Sequence, residues 1–355
     1  MARSTWIAGS ALTAAVALAA SVAFVLGSMM VDSDDAHESP PITRSIHASG
    51  STAQKGAMDA WIAEFHRVHP ELRVTYEANG SDAGIRDFVA GRTAFAGSDL
   101  PMSPHEQALA DRRCGGGAMH LPMVVGPIAL AYNLPSVSDL KLSPATLAGI
   151  FSGRITRWNA PEIAAENRGT HLPHAGIRAF HHSDASGTTH NFTAYLRAAG
   201  RWPHPPSRTW SGAGQGVTGS DGVAEAVQDT ANSIGYVQYG FASNARLSTA
   251  RIRNAAGHFV ALSPDTASKA LERARVVGRR DDLVVTFDYL AETGNAYPIV
   301  LVTYEITCSD PDPLVQTFLT YTSSDAGQSY LALHGYAPLP QDLLVKVRAR
   351  LGTTS

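Results

Sequence analysis

Residues 45–76 read SIHASGSTAQKGAMDAWIAEFHRVHPELRVTY. Residues 45–47 have the form of a short strand, and Met58, Trp61, Ile62, Phe65 and Val68 then recur at intervals of three and four, the spacing of one helix face. A second strand follows at 73–76. Strand, amphipathic helix and strand make a βαβ unit, whose crossover implies a parallel pair. The rhythm continues with a helix carrying Ile85, Phe88 and Val89 and a strand at 94–96. Further strands are expected at 123–132, 177–180, 233–239 and 298–307, with helices at 144–150, 189–199, 222–229 and 314–323. The alternation predicts an α/β protein with mainly parallel strands.

The chain has 355 residues, 44% of them hydrophobic and 17% charged, with a formal net charge of −3. At about 100–200 residues per domain, this length suits two domains, each able to bury a core. Nucleic acid is not an expected partner, because neutralising its phosphates needs clustered Lys and Arg, and no basic stripe is present.

Arg3 precedes an uncharged run, 4–31, rich in Ala, Val and Leu, and Asp32, Asp34, Asp35 and Glu38 follow it. Residues 1–31 therefore read as an export segment. Small residues at Ala23 and Gly27 suit a cleaved signal peptide. The run also exceeds the roughly 18 residues that make a membrane anchor, and both readings put the body outside the cytoplasm, secreted or at the cell surface. No cysteine follows the run, which excludes a lipoprotein anchor. Residues 32–44 read as a polar tether. The two cysteines, Cys114 and Cys308, have no metal-ligand spacing. Disulfides persist outside the cell, which favours a Cys114–Cys308 bond over two buried thiols.

Three segments place a small residue and hydroxyls just before a helix: Gly50-Ser51-Thr52, Gly80-Ser81 and Ser186-Gly187-Thr188-Thr189. Each reads as an N-cap, where a helix leaves its first N–H groups unpaired and presents the positive end of its dipole. Taken singly these are ordinary caps; converging, they would hold an oxyanion without any lysine. Gly97-Ser98-Asp99 follows the strand at 94–96. An ionised carboxylate only accepts hydrogen bonds, so Asp99 in an anion site would reward a ligand that carries a proton and disfavour fully ionised sulfate.

Together these segments resemble the phosphate-binding proteins of bacterial high-affinity phosphate ABC transporters. Carrying the resemblance are Ala48-Ser49-Gly50-Ser51-Thr52, Gly80-Ser81-Asp82-Ala83-Gly84-Ile85, Gly97-Ser98-Asp99, Ala131-Tyr132-Asn133-Leu134-Pro135, Ile150-Phe151-Ser152-Gly153-Arg154-Ile155-Thr156-Arg157-Trp158-Asn159, Ser183-Asp184-Ala185-Ser186-Gly187-Thr188-Thr189 and Ser233-Ile234-Gly235-Tyr236-Val237. The stretch from Ile150 and the Ser-Asp-x-Ser-Gly-Thr-Thr motif are the specific ones. The resemblance implies a two-lobed, type II periplasmic-binding-protein-like fold with two interlobe crossovers, lobe one being 45–125 plus 295–355 and lobe two 126–294. Both cysteines then fall in lobe one. It implies inorganic phosphate as ligand and an ABC-type permease as partner. Phosphate contacts would come from Ser51, Thr52, the Ala53 backbone N–H, Ser81, Asp99, His182, Ser186, Gly187 and Thr188, with Asp184 organising its neighbour. No cofactor and no metal are expected, and the chain is expected to be a monomer.

Two positions depart from the family. His182 stands where the family usually has Arg, and losing a charge-assisted contact of about 1.5–3 kcal/mol would weaken binding some 10- to 100-fold unless Asp184 keeps the imidazole protonated. Affinity is then expected to fall as pH rises through the histidine titration. Ala53 replaces a large apolar residue, leaving the ligand less covered. The competing functions are a secreted phosphatase and a binding or sensing protein for another oxyanion such as arsenate. Against an enzyme, the sequence shows no GxSxG, no HExxH and no P-loop, and the run 211–222 reads as a loop. The densest histidines, His171, His174, His181, His182 and His190, read as surface and loop residues rather than a metal site.

Overall fold

The computed structural model describes residues 43–271, 274–278, 282–291 and 294–352, so the export segment and almost all of the tether lie outside the described residues. The βαβ reading is realised as β1 (Arg44–Gly50), α1 (Lys55–Val68), β2 (Leu72–Glu77), α2 (Ser81–Val89) and β3 (Phe95–Ser98), with β1 parallel to both neighbours. Helix α1 buries Met58, Trp61 and Phe65. Helix α3 (Pro104–Cys114) has no apolar stripe to betray it, since Ala110 is its one buried residue. It is fixed by its ends, a Ser103–Glu106 capping box with Pro104 at the start and left-handed Gly115 at the finish.

There follow β4 (Ala118–Asn133), α4 (Pro144–Phe151), β5 (Arg178–His182), α5 (Gly187–Ala199), β6 (Gln215–Val217), α6 (Gly219–Asp229) and β7 (Ser233–Gln238). Toward the C-terminus come β8 (Val300–Cys308), α7 (Pro313–Thr322) and α8 (Gln341–Arg350). Among the described residues the main sheet has nine strands, ordered β2-β1-β3-β8-β4-β7-β5-β6, with Ser248–Thr249 pairing with β4.

The expectation of mainly parallel strands holds only at the two ends of this sheet, where β2-β1-β3 and β7-β5-β6 are parallel. Its centre is antiparallel: β8 runs against β3 and β4, and β4 against β7. The reason is connectivity. Strand β4 carries the chain from one hydrophobic core to the other, and β8 brings it back beside β4, so the two must run in opposite directions. Residues of β4 up to Pro127 pair with β8, and from Ile128 onward with β7. The β4–β8 register skips Met123 between Thr303 and Tyr304, a bulge beside Pro122, which has no N–H to give the ladder.

Two buried clusters flank the crossing. The first gathers α1, α2, β3, the start of β4, α7 and α8; the second gathers the rest of β4 with α4, α5, α6 and β7. Alternate β8 residues serve both, Val300, Val302 and Tyr304 entering the first core while Leu301 enters the second with Tyr297 and Ile299. The sequence reading carried lobe two to residue 294, yet Ala267, Leu271, Leu283 and Val285 pack in the first core. Three bonds hold the 282–285 segment there: Leu283 N–H donates to His120 O at 3.1 Å, Asp282 accepts the His120 N–H at 2.9 Å, and Val285 N–H donates to the Tyr304 hydroxyl at 3.0 Å.

Cys114, ending α3, is bonded to Cys308, ending β8, across 194 residues of sequence. Both lie against the first core, so the bond ties the first and last parts of that core together. Replacing both cysteines by alanine should lower the unfolding free energy by about 2–5 kcal/mol, measured by urea denaturation. An unchanged midpoint would show that the link constrains nothing the packing does not already hold.

Candidate functional site

Asp99 directly follows β3 and is buried. Its Oδ1 accepts Ser51 Oγ at 2.6 Å and Thr303 Oγ1 at 2.8 Å, and its Oδ2 accepts Ser81 Oγ at 3.4 Å. The main chain is held as well: Asp99 N–H donates to Ser81 Oγ at 3.2 Å, and Asn191 Nδ2 donates to Asp99 O at 2.7 Å. Burial pushes the carboxyl above its ordinary pKa, and the hydroxyls and the nearby His182 bring it only partly back. Among the described residues no lysine or arginine bonds to it.

On the facing side β5 ends at buried His182, whose Nδ1 lies 3.3 Å from Asp184 Oδ1. Asp184 Oδ1 also accepts the Gly219 N–H at 2.8 Å, at the start of α6. Burial alone would raise the Asp184 carboxyl, but the His182 bond and charge and the Gly219 N–H outweigh it and hold the group below its ordinary value. Asp184 is thus ionised and orients the imidazole. His182 Nε2 and Thr188 Oγ1 are buried without a hydrogen-bond partner among the described residues. Buried polar atoms of this kind are costly and call for a partner.

The two sides touch through a glycine. A Cβ on Gly187 would lie 2.5 Å from Asp99 Cβ and 2.8 Å from Ser81 Oγ, so only glycine lets the start of α5 reach Asp99. Asn191, one turn on, donates to Gly187 O at 2.9 Å as well as to Asp99 O, and thereby locks the contact. Thr52 Oγ1 lies 3.2 Å from Ser220 Oγ, a second contact between the sides. Ala53 is buried in the second core, and its N–H donates to Ser51 Oγ at 3.0 Å.

The structure therefore brings Ser51, Thr52, Ala53, Ser81, Asp99, His182, Asp184, Ser186, Gly187 and Thr188 into one neighbourhood, with a correction to their local roles. Only Ser186 acts as a hydroxyl cap, accepting Thr189 N–H at 3.5 Å. Helix α1 starts later, at Lys55 behind Gln54, which leaves Ser51 and Thr52 in the preceding turn. Gly80, at φ +100°, takes the cap position of α2 and makes Ser81 its first helical residue.

Sequence reasoning missed Thr303, Asn191, Gly219 and Ser220. Thr303 gave no local signal, being an ordinary residue of a buried strand. Gly219 and Ser220 did: Thr218-Gly219-Ser220 repeats the hydroxyl-and-glycine pattern, but the run 211–222 was expected to be loop, whereas it holds β6 and the start of α6. Chemically, hydroxyls and helix starts can donate to an anion while one carboxylate can accept a proton from it. Ser183 shows no catalytic pairing, its Oγ lying 3.1 Å from Thr218 Oγ1.

Comparison with known proteins places this geometry in context. A family profile described as the PBP superfamily domain matches residues 35–326. The chain is 44% identical over 321 residues to phosphate-binding protein PstS 3 of Mycobacterium tuberculosis, covering 87% of this chain and 85% of that protein. Among solved structures, a high-affinity periplasmic phosphate-binding protein (PfluDING) bound with phosphate aligns with a TM-score of 0.70 at 22% identity, over 86% of this chain and 93% of the other. An ABC-type phosphate transport receptor from Vibrio cholerae aligns with a TM-score of 0.55 at 18% identity, over 83% and 100%.

The raised Asp99 pKa sets a pH dependence of stability. A carboxyl whose folded pKa is raised holds its proton more tightly in the folded state, so its favourable contribution is complete below the unfolded value and is lost as pH rises through the folded one. Asp99→Asn removes the buried charge and should raise the thermal midpoint at pH 7.5 by about 2 °C, with the gain shrinking towards pH 4. A variant less stable at pH 7.5 would contradict this reading of the carboxyl.

Proposed function

The chain belongs to the PBP superfamily, in its phosphate-binding branch, and on that premise we propose that it captures inorganic phosphate between its two halves, outside the cytoplasm, and delivers it to an ABC permease. The observation that carries this reading is the buried Asp99 carboxylate ringed by Ser51, Ser81 and Thr303 hydroxyls. At neutral pH phosphate still bears a proton that Asp99 accepts, whereas sulfate would set its charge against the carboxylate with no proton between them.

Ser51, Thr52, the Ala53 N–H and Ser81 serve the ligand from one side, and His182, Ser186, Gly187 and Thr188 from the other. The unpartnered Thr188 Oγ1 supplies a donor, and Asp184, by holding the His182 Nδ1–H, leaves Nε2 to donate to the ligand when the ring is doubly protonated. Closure buries the anion among these groups, and the permease reads the closed form. The lobes divide near Pro127 and Ile128 on β4, where strand pairing changes hands. Among the described residues no helix is long and apolar enough to cross a membrane. The proposed working form is a monomer outside the cytoplasm, with phosphate and the permease as its partners.

Calorimetry should give a micromolar phosphate affinity, about −8 kcal/mol, with sulfate weaker by about 10³-fold or more, and no turnover of a phosphomonoester. Equal affinity for sulfate, or turnover, would overturn the proposal. Asp99→Asn should weaken phosphate binding while narrowing the margin over sulfate. His182→Arg should tighten binding about tenfold. Gly187→Ala should weaken phosphate at least tenfold, because its Cβ wedges α5 away from Asp99.

A further inference from the structure

One cation, Arg208, joins the two sides of this site. It lies in the segment after α5, between Trp202, buried in the second core, and Trp210, packed against that core. Its guanidinium reaches across to the first core. Nη1 donates to Asp82 Oδ1 at 2.6 Å and to Glu106 Oε1 at 2.9 Å, and Nη2 donates to Glu106 Oε2 at 3.2 Å.

Each partner is tied to the site. Asp82 follows Ser81 in the first turn of α2. Glu106 belongs to the capping box that starts α3, its Oε2 also accepting the Ser103 N–H at 2.7 Å. Arg208 in turn accepts the Ser186 N–H on its own carbonyl at 2.9 Å, so one residue holds the Ser186–Thr188 turn with its backbone and the Ser81 turn with its side chain. All three side chains are about four-fifths buried, with 20%, 21% and 23% exposure for Arg208, Asp82 and Glu106. A fork-shaped, partly desolvated network of this kind is stronger than an isolated surface pair. Burial by itself would raise the Glu106 carboxyl, but Arg208 and Ser103 hold it down to about 2, so Glu106 is ionised at neutral pH.

We propose that Arg208 is a positioning residue for the bound anion: a clasp between the halves that forms only when they close and that brings the Ser186–Thr188 turn into register with Ser81 and Asp99. It does not touch the ligand, because its charge is spent on Asp82 and Glu106. The proposal rests on phosphate binding between the halves. Its distinct content is that closure, and with it ligand residence, depends on an ion-pair cluster beside the site.

The test compares the parent protein with Arg208→Gln, Arg208→Lys and Glu106→Gln. Glutamine at 106 keeps the capping box while removing the charge. Phosphate dissociation is followed by stopped flow, and compaction of the phosphate-free protein by small-angle scattering. Arg208→Gln should release phosphate about 10- to 100-fold faster with little change in the association rate. Arg208→Lys should recover part of the loss, and Glu106→Gln should lose part of it. Raising salt from about 0.05 to 0.5 M should speed release from the parent more than from Arg208→Gln. Without phosphate, Arg208→Gln should be more expanded than the parent.

Equal release rates in parent and Arg208→Gln, or identical salt slopes, overturn the clasp. So does failure of lysine to recover any of the loss. Should Arg208→Gln not fold, Glu106→Gln and the salt slope of the parent decide alone, and a parent-like Glu106→Gln with a flat slope overturns it. A parent that binds no phosphate overturns the proposed function, while the phosphate-free comparison still judges the clasp.

Discussion

The structure is organised around one constraint: a carboxylate buried beside the crossing point, with no bound cation among the described residues, must find its donors among neutral groups. Asp99 finds Ser51 beyond β1, Ser81 at the start of α2 and Thr303 on β8, while Asn191 on α5 holds its carbonyl. Those donors come from a turn, two helices and a strand, and bringing them to one point fixes how the ends of β1 and β3 meet the returning strand β8. An unpaired buried charge costs several kcal/mol. The hydroxyls reduce that cost without neutralising the charge, which is why the carboxyl remains above its ordinary pKa.

The rest of the architecture serves the approach of the second side. Strands β4 and β8 carry side chains of both cores, so the halves share one sheet. The contact at the site is made by the smallest residue available, Gly187, and is bordered by polar ties at Thr52–Ser220 and at Arg208. The anion-binding chemistry therefore has little net charge behind it, in keeping with a chain that is 17% charged with a net charge of −3. On the proposed phosphate reading, discrimination falls to matched donors and acceptors at short range rather than to a long-range field.

How much of this was legible depended on whether a residue's signal is local. Met58, Trp61 and Phe65 announced α1 through their spacing, and Gly-Ser pairs marked the turns that converge on Asp99. Helix α3, held by its caps rather than by an apolar face, left no period to find. Thr303 was invisible because its role is set by a strand some 200 residues away in sequence. Arg208 was invisible for the same reason, its partners lying 126 and 102 residues earlier. The packing of Leu283 and Val285 in the first core was not legible either, because that segment is held by His120 and Tyr304, contacts that only the folded chain reveals. His182 was conspicuous for the opposite reason: the motif around it set a sharp expectation that it broke.

The path of β4 and β8 also orders assembly in time. The second core is drawn almost wholly from an unbroken stretch, Ile128 to Leu262, and can gather as soon as that stretch is available. The first core joins Met58, Trp61 and Phe65 in one cluster with Val300, Phe318, Leu344 and Leu351, residues separated by nearly the whole chain. Such non-local closure is slow, because the loop entropy is spent before the contacts reward it. A chain emerging from its N-terminus would hold β1 to β3 unfinished until β8 arrived, and the Cys114–Cys308 bond can form only at that last step. Asp99, whose donor Thr303 lies on β8, is completed at the same moment, so the site matures together with the last strand of the sheet.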